Sequence, residues 1–320
     1  MYAPSSSRIP EHALDVLRLT LAQQEAGLPC ALAIMTSIEG GGVRAPGALM
    51  GVTAEGHTFG YLSGGCIDAD VALRAQSALK TGTGRSLRYG AGSPFVDIQL
   101  PCGGAIEIAV CPDLSTDTLK TAIAHLEARQ SIYVGIDRAY QLSIHEDKPS
   151  TEQLDLLFVA NYRPQLQLRI VGSGAETIAL ARLAKAVGVG CIVQSHDETT
   201  LKAVEALGAF EGIKINGLND LPDIEDDPST AVVILYHDAA REGPLLKQAL
   251  NGNAFYIGAV GSRNTSMKRA ITLAELDCSP DQIARVRGPI GLISGMRDAS
   301  SLALSTLAEI VLENKSRPAL

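Results

Sequence analysis

The chain has 320 residues, a formal net charge of −8 at pH 7, and 46% hydrophobic against 19% charged residues. This length can fill two hydrophobic cores, so two domains are expected. An acidic chain without a basic stripe excludes nucleic acid as a partner. No apolar run reaches the roughly 18 residues of a membrane span, and no export signal precedes the first helix. The sequence therefore predicts a cytoplasmic protein that makes no membrane contact.

In the first half of the chain, short apolar segments are separated by glycine-rich turns. Apolar spacing predicts helices over residues 13–22 and 68–79, with a further helix and one or two weak strands within residues 116–150. Strands are predicted over residues 30–37, 48–53, 58–62, 86–89, 96–100 and 105–110. This order of elements is typical of an α+β domain, assigned to residues 1–150, with a linker over residues 151–165.

The second half of the chain changes to a regular alternation of strands and helices. Strands are predicted over residues 166–171, 190–194, 230–235 and 254–257, and helices over residues 175–187, 198–207 and 300–313. Buried strands that alternate with helices form parallel sheets. The predicted fold class is α/β, with a Rossmann-like domain of mostly parallel strands over residues 166–320.

The turn after the first strand of this half carries two glycines, Gly172 and Gly174, directly before a helix. Backbone N–H groups at a helix start suit a phosphate or pyrophosphate. Thr177 replaces the third glycine of the dinucleotide fingerprint, and no acidic residue ends the next strand, where Asp197 comes late. The incomplete fingerprint is consistent with a Rossmann-like fold, but it argues against the binding of NAD(P).

Two further strand ends carry candidate ligand contacts, because ligands of open α/β sheets lie beyond the carboxyl ends of the strands. His237 and Asp238 follow one strand, and Gly261, Ser262 and Arg263 follow the next. Ser262 and Arg263 offer donors to an anion, while His237 and Asp238 could bond a polar heterocycle. The alternative is that His237 and Asp238 cap the following helix and Arg263 is solvated.

Cysteines stand beside glycine pairs at two turns of the first half. Cys66 follows Gly64 and Gly65 at a helix start, and Cys102 precedes Gly103. A helix N-terminus lowers a thiol pKa, whereas nearby aspartates raise it, so the net direction stays open. Thiolates are soft metal ligands and can also relay sulfur, which makes Cys66 and Cys102 candidate metal contacts. The alternative is that each is a small buried hydrophobe.

The remaining features of the first half are simpler. No two cysteines have the paired spacing of a zinc site or a disulfide framework, so reduced thiols are expected. Cys30, Cys191 and Cys278 lie in strand or helix contexts and are predicted to be structural. Arg44 lies in a glycine-rich loop that either closes over an anion or forms a flexible hairpin connection.

In their order along the chain, these motifs resemble those of the XdhC/CoxI family, the accessory factors of xanthine dehydrogenase and related molybdenum hydroxylases. The motifs that carry the resemblance are residues 44–50, Ser63-Gly64-Gly65-Cys66, residues 87–90, Pro101-Cys102-Gly103-Gly104, Arg169-Ile170-Val171-Gly172, His237-Asp238, residues 256–263, residues 288–292 and residues 307–310. Thr177 and Ile293 depart from the family pattern, which places a glycine and an aspartate there.

The resemblance implies a function. Members of the family bind molybdenum cofactor (molybdopterin), shield it during sulfuration by a cysteine desulfurase, and deliver it to the apo-hydroxylase. Cys66 and Cys102 match the family's cysteines. In this interpretation the chain is a chaperone rather than a turnover enzyme, and the cofactor is cargo held in a crevice between the domains. A homodimer is expected because two-fold pairing is common.

Two other hypotheses stay open. The first is an NAD(P)-dependent oxidoreductase that uses the Rossmann-like domain, with His237 as general acid and base. The second is a protein-binding scaffold with an inert nucleotide-like fold.

Overall fold

A computed structural model describes residues 10–93, 103–152, 154–208, 211–218 and 221–317. The chain divides between Pro164 and Gln165 into two units, named unit 1 and unit 2 below. Among these ranges, no helix combines the length and the apolar character that a membrane crossing needs.

Unit 1 combines helices with two antiparallel sheets. Its helices are α1 (Ala13–Glu25), α2 (Cys66–Thr81) and α3 (Thr116–Glu127). Its strands are β1 (Cys30–Glu39), β2 (Leu49–Thr53), β3 (Thr58–Gly60), β4 (Arg85–Gly90), β5 (Ala105–Cys111), β6 (Ile132–Asp137), β7 (Leu142–His145) and β8 (Leu156–Tyr162). The sheets have the strand orders β3-β2-β1-β5-β4 and β7-β6-β8.

Strand β1 is apolar on both faces because it lies between two cores. Leu32 and Ile34 pack with α1, α3 and the smaller sheet. Ala31, Ala33 and Met35 point to the other face and pack against α2. Successive side chains of a strand alternate between its faces, so a continuous apolar run is what a strand buried on both sides requires.

The segment predicted as a linker contains a strand of unit 1. Residues Leu156–Tyr162 form β8, which pairs antiparallel with β6. Ala160 and Tyr162 are buried in the core that α1 and α3 share, and the Tyr162 hydroxyl donates to the Gly47 carbonyl at 2.9 Å. The polar residues before β8 suggested a boundary, but the pairing of β8 extends unit 1 to Pro164.

Unit 2 is built on six parallel strands. They are β9 (Gln167–Gly172), β10 (Gly190–Ser195), β11 (Glu211–Lys214), β12 (Thr230–Leu235), β13 (Tyr256–Ala259) and β14 (Val286–Arg287). Their spatial order is β11-β10-β9-β12-β13-β14. Counted within the unit this is the order 3-2-1-4-5-6 of the dinucleotide-binding fold, which confirms the predicted Rossmann-like domain.

Helices cover both faces of this sheet. They are α4 (Ala175–Ala186), α5 (Glu198–Glu205), α6 (Ala239–Asn251), α7 (Arg263–Glu275), α8 (Pro280–Ala284) and α9 (Ala299–Ser316). Side chains of α4, α5 and α9 form one core, and those of α6 and α7 form the other. The short edge strands β11 and β14 carried too little apolar sequence to be predicted. The strand predicted over residues 96–100 lies in the 94–102 gap of the described residues, so the structure does not test it.

A buried ion pair crosses the middle of unit 2. The side chains of Arg169 on β9 and Asp226 before β12 are 0% and 2% exposed. Two parallel hydrogen bonds join them, from Nε at 2.8 Å and from Nη2 at 2.5 Å. Arg169 Nη1 also donates to the Gln194 side chain at 2.9 Å and to the Gln248 side chain at 3.3 Å. Removing one partner of such a pair leaves an uncompensated charge in the interior.

The variant Asp226→Ala is therefore expected to lower the free energy of unfolding by about 3–5 kcal/mol. Lys214→Gln is the matched control, because it breaks the exposed pair with Glu198 in the same unit and should cost at most about 1 kcal/mol. Urea unfolding followed by circular dichroism measures both. Equal losses in the two variants would contradict the assigned role of the buried pair.

Candidate functional site

The glycine-rich turns of unit 1 meet at one end of the five-stranded sheet. The antiparallel registers pair Met50 with Gly60, Ile34 with Leu49, and Glu39 with Ala105. Ala105 also pairs with the last residue of β4. The end of β3, the loop before β2, the end of β1, the start of β5 and the end of β4 therefore face the same end of the sheet. This arrangement places Arg44, Gly64, Gly65 and Gly103 at the same end of the sheet.

The turn before α2 is held by a carboxylate from the helix itself. Asp68 accepts the backbone N–H groups of Leu62, Ser63 and Gly64 at 3.3, 2.8 and 2.7 Å, and the Ser63 hydroxyl at 3.1 Å. Gly64 has φ +78°, a left-handed conformation that glycine adopts without strain. Asp68 thus fixes the turn that leads into Cys66, the first residue of α2.

Arg44 carries a positive charge at this end of the sheet. Its Nη2 donates to the Glu11 carbonyl at 2.7 Å, and its guanidinium lies 4.6 Å from the ring centre of Tyr61. Arg88, at the same end, is neutralised by Glu39 and Glu107. No carboxylate of the described residues forms an ion pair with Arg44, so its charge is available to an anion.

The two cysteines predicted for this site are only partly covered by the structure. Cys66 begins α2, but its side chain lies outside the described part of the chain, and all of Cys102 does too. The role of Cys66 and Cys102 as metal contacts therefore stays a prediction. Among the described residues, no group of three or more His, Cys, Asp or Glu side chains is placed to hold a metal ion.

Several other cysteines are buried in the cores. Burial raises the pKa of Cys30 to about 11, and that of Cys111 and Cys191 to about 12. These thiols stay protonated at neutral pH, and only a thiolate is a good ligand or nucleophile. Cys278 is buried as well. The structural role predicted for Cys30, Cys191 and Cys278 agrees with this burial.

In unit 2, the turn predicted to bind phosphate, residues 172–174, follows β9 and is called the phosphate turn below. It lies at the topological switch point, where the strand order reverses between β9 and β12. Gly174 is the residue before α4, has φ +78°, and has open space where a Cβ would be. Its backbone N–H donates to the Thr200 hydroxyl at 2.8 Å, and that hydroxyl donates to Asp197 at 2.5 Å. The start of α5 thus fixes the turn, while the N–H groups of the first turn of α4 remain for a ligand.

The positions that depart from the dinucleotide fingerprint have structural roles. Thr177 is fully buried, and a Cβ at Gly172 would lie 2.6 Å from its hydroxyl, so Gly172 is needed for packing. Asp197 caps α5 by accepting from the backbone of Thr199 and Thr200. Its hydrogen bonds, chiefly the one from the Thr200 side chain, lower its pKa. Gln194 is buried against Arg169.

His237 lies on the opposite side of the switch point from the phosphate turn. Its Nε2 lies 3.1 Å from Glu176 Oε2 in the first turn of α4, and its side chain is 69% exposed. The contact links the end of β12 to the start of α4 and leaves most of the imidazole open to a ligand. Asp238, in contrast, caps α6 by accepting the Ala240 N–H at 3.0 Å, as the structural alternative proposed.

The third predicted turn, residues 261–263, follows β13. Ser262 caps α7 through the Thr265 N–H at 3.1 Å, and Arg263 is exposed. A Cβ at Gly261 would lie 2.9 Å from the Thr265 side chain, which gives this glycine a packing role. Of the three residues, Arg263 is the one whose functional groups remain available to a ligand.

The sequence reasoning did not find the residues that support the site. Asp68, Thr200 and Glu176 each hold a turn or a predicted ligand contact in place. In the sequence, Asp68 is an acidic residue in the first turn of a helix after two glycines. That position predicts an effect on the charge around Cys66, but it does not show that the carboxylate binds the turn. Thr200 and Glu176 reach their partners across 26 and 61 residues of sequence, a separation that no local pattern reveals.

Comparison with known proteins is consistent with this architecture. Residues 23–90 match the XdhC and CoxI family, and residues 168–310 match the XdhC Rossmann domain. The molybdenum cofactor insertion chaperone PaoD of Escherichia coli (strain K12) is 32% identical over 310 residues, which cover 97% of this chain and 91% of that protein. The chain belongs to the XdhC and CoxI family. The family predicted from the sequence motifs is therefore confirmed.

Two more distant relatives extend the comparison across the family. A Bacillus subtilis (strain 168) protein described as a probable xanthine dehydrogenase subunit is 23% identical over 320 residues, covering 89% of this chain and 93% of that protein. A solved structure of a xanthine dehydrogenase from Bacillus halodurans matches with a TM-score of 0.75 at 23% identity, covering 96% of this chain and 97% of that chain. At that identity the match supports the fold alone.

The variant Asp68→Ala is expected to lower the free energy of unfolding by about 1–3 kcal/mol, because four donors lose their acceptor. Asp117→Ala is the matched control: Asp117 also lies in the first turn of a helix, is exposed, and should contribute only about 0.3–1 kcal/mol through the helix dipole. Urea denaturation measures the difference. A loss no larger than that of the control would show that Asp68 does not hold the turn.

The buried thiols give a prediction that depends on pH. At pH 8, iodoacetamide should modify native Cys30 roughly 200-fold, and native Cys111 and Cys191 roughly 2,000-fold, more slowly than in denaturant, where a thiol pKa is about 8.5. Because burial raises the pKa of these thiols, their thiolate fraction and labelling rate should rise steadily toward pH 11. Site-resolved mass spectrometry measures each rate, and native labelling of Cys111 at the denatured rate would contradict the prediction.

Proposed function

We propose that this chain binds molybdenum cofactor, protects it during sulfuration, and delivers it to a xanthine dehydrogenase-type molybdenum hydroxylase. The observation that carries the proposal is the 32% identity to a molybdenum cofactor insertion chaperone over 97% of the chain. A match of that extent includes both units, so the proposed role belongs to the whole chain rather than to its Rossmann-like domain.

The geometry of unit 2 supports a phosphate-bearing cargo. Molybdopterin carries a phosphate, and the first turn of α4 offers backbone N–H groups beside the open space at Gly174. His237 stands across the same switch point and is held by Glu176, with its ring exposed. In this proposal, α4 binds the phosphate and His237 contacts a polar group of the cargo.

The geometry of unit 1 supports the proposed contacts with the metal of the cofactor. Arg44 supplies a charge without a carboxylate partner among the described residues, beside turns whose glycines leave the backbone open. Cys66 begins a helix at this end of the sheet, and Cys102 directly precedes Gly103 there. In this proposal, the two thiols contact molybdenum or pass sulfur to it, which suits a soft thiolate ligand.

The proposal includes partners. The cargo would be sulfurated by a cysteine desulfurase and received by the apo-hydroxylase, and the chain would work as a homodimer. Such steps require transient contacts rather than a turnover reaction, so the chain acts as a chaperone in the cytoplasm.

The decisive experiment substitutes the candidate thiols. Cys66→Ser and Cys102→Ser are each expected to reduce the active hydroxylase recovered after reconstitution by about 10-fold or more, the scale of loss when a group that orients a metal centre is removed. Cys278→Ser makes the same chemical change at a buried cysteine of unit 2, and it should leave recovery near the unsubstituted level.

Cofactor binding is measured separately, by absorbance titration of each variant with molybdenum cofactor. Normal binding with lost recovery would assign the thiols to sulfuration or transfer, and weakened binding would assign them to the metal contact. Unchanged binding together with unchanged recovery in both variants would remove the thiols from the mechanism. Failure of the unsubstituted chain to bind the cofactor at all would refute the proposed function.

A further inference from the structure

A cavity of about 380 Å³ lies between α6 and α7 of unit 2. This volume falls within the range of roughly 300–1,000 Å³ that is typical of small-molecule sites. Seven of its eight lining residues are polar or charged, and the remaining one is Gly243. A Cβ at Gly243 would lie 3.0 Å from Leu276 and 3.2 Å from Thr272, so glycine lets the two helices approach each other beside the cavity.

One wall of the cavity is a buried ion pair. The side chains of Glu242 on α6 and Arg269 on α7 are 6% and 5% exposed, and Arg269 Nε donates to Glu242. Arg269 Nη2 also donates to the Val260 carbonyl at 2.7 Å. Arg269 Nη1 donates to the Ser266 hydroxyl at 3.4 Å, so each guanidinium nitrogen has a protein partner. The pair is electrically neutral as a unit and forms an ordered wall of the cavity.

The net charge of the lining comes from Lys268. It is exposed on α7, and it forms no ion pair with any residue in the described part of the chain. Asn264 and Thr272 add amide and hydroxyl groups on the same helix. The lining therefore presents one uncompensated positive charge and several donors, in a chain whose overall formal charge is −8. Such a set favours an anion with several acceptor oxygens.

The position of the cavity agrees with a ligand site. Ser262, which lines it, lies just beyond the carboxyl end of β13, at the edge where open α/β sheets bind their ligands. Its helices α6 and α7 cover the face opposite to α4, so the cavity is distinct from the phosphate turn at Gly174.

We infer that this cavity binds the phosphate group of a small molecule, with Lys268 supplying the charge and the side chains of Asn264 and Thr272 supplying hydrogen-bond donors. Lysine is a common phosphate partner as a point charge, and amide and hydroxyl groups can donate to phosphate oxygens. The inference goes beyond the cofactor-handling role and does not depend on it. The cavity shares Ser262 with the predicted cofactor contacts, but Lys268, Asn264 and Thr272 are not among them.

Isothermal titration calorimetry of the full chain tests the inference, with inorganic phosphate and ribose 5-phosphate as probes. Lys268→Gln is expected to weaken binding about 10-fold, equivalent to about 1.4 kcal/mol, whereas Lys268→Arg should retain it. Lys315→Gln is the matched control, since it removes one exposed charge of the same unit on α9 and should leave the affinity unchanged. Lys268 is a surface residue, so its variants should fold.

The two probes distinguish the sources of the phosphate. Equal affinities would identify the free ion as the ligand, and tighter binding of ribose 5-phosphate would identify a phosphate ester whose organic part fills the cavity. No heat with either probe would overturn the inference. Equal weakening by Lys268→Gln and Lys315→Gln would also overturn it, because it would show general charge attraction rather than a site.

Discussion

The guanidinium of Arg169 is the constraint on which unit 2 depends. It is fully buried in the central strand β9, where an unpaired charge would not be tolerated. Asp226 neutralises it from the loop before β12, Gln194 contacts it from β10, and Gln248 contacts it from α6. One side chain thereby links β9 to β10, to the loop before β12 and to α6.

The turns of both units are fixed by side chains of their own neighbourhood. Asp68 binds three backbone N–H groups before α2, Thr200 binds the Gly174 N–H, and Ser262 caps α7. A turn that is already ordered loses less conformational entropy when a ligand binds. The glycines at these turns leave the backbone accessible, and the polar side chains keep it in place. Accessibility and rigidity therefore come from different residues.

Much of the fold could be predicted from the sequence, because the elements that dominate it are locally encoded. Three local patterns predicted the two units and the parallel sheet. They are the apolar run of β1, the glycines Gly172 and Gly174, and the alternation of strands and helices. Strand β8 could not be found in this way, since its pairing with β6 depends on partners 19 to 30 residues earlier along the chain, from Asp137↔Leu156 to Ile132↔Tyr162.

The candidate site was predicted less completely than the fold. The glycine turns were located, but a motif does not show whether a carboxylate caps a helix or faces a ligand. Asp238 and Asp197 proved to be caps, and Gly172 proved to serve the packing of Thr177. Those roles are decided by side-chain geometry between distant segments. The pattern of polar residues at strand ends nevertheless predicted that His237 lies at a ligand-binding edge of the sheet. The structure places it at the switch point, in contact with Glu176.

The burial of Cys30, Cys111 and Cys191 has a consequence for a chain that would meet reactive sulfur. A persulfide or a mild oxidant reacts with thiolates, and thiols that stay protonated in an apolar interior are spared. The three buried thiols would therefore compete little for the sulfur of a persulfide. Cross-linking or over-oxidation of these buried thiols would require unfolding first. The resistance of the protein interior to oxidation therefore depends on its conformational stability.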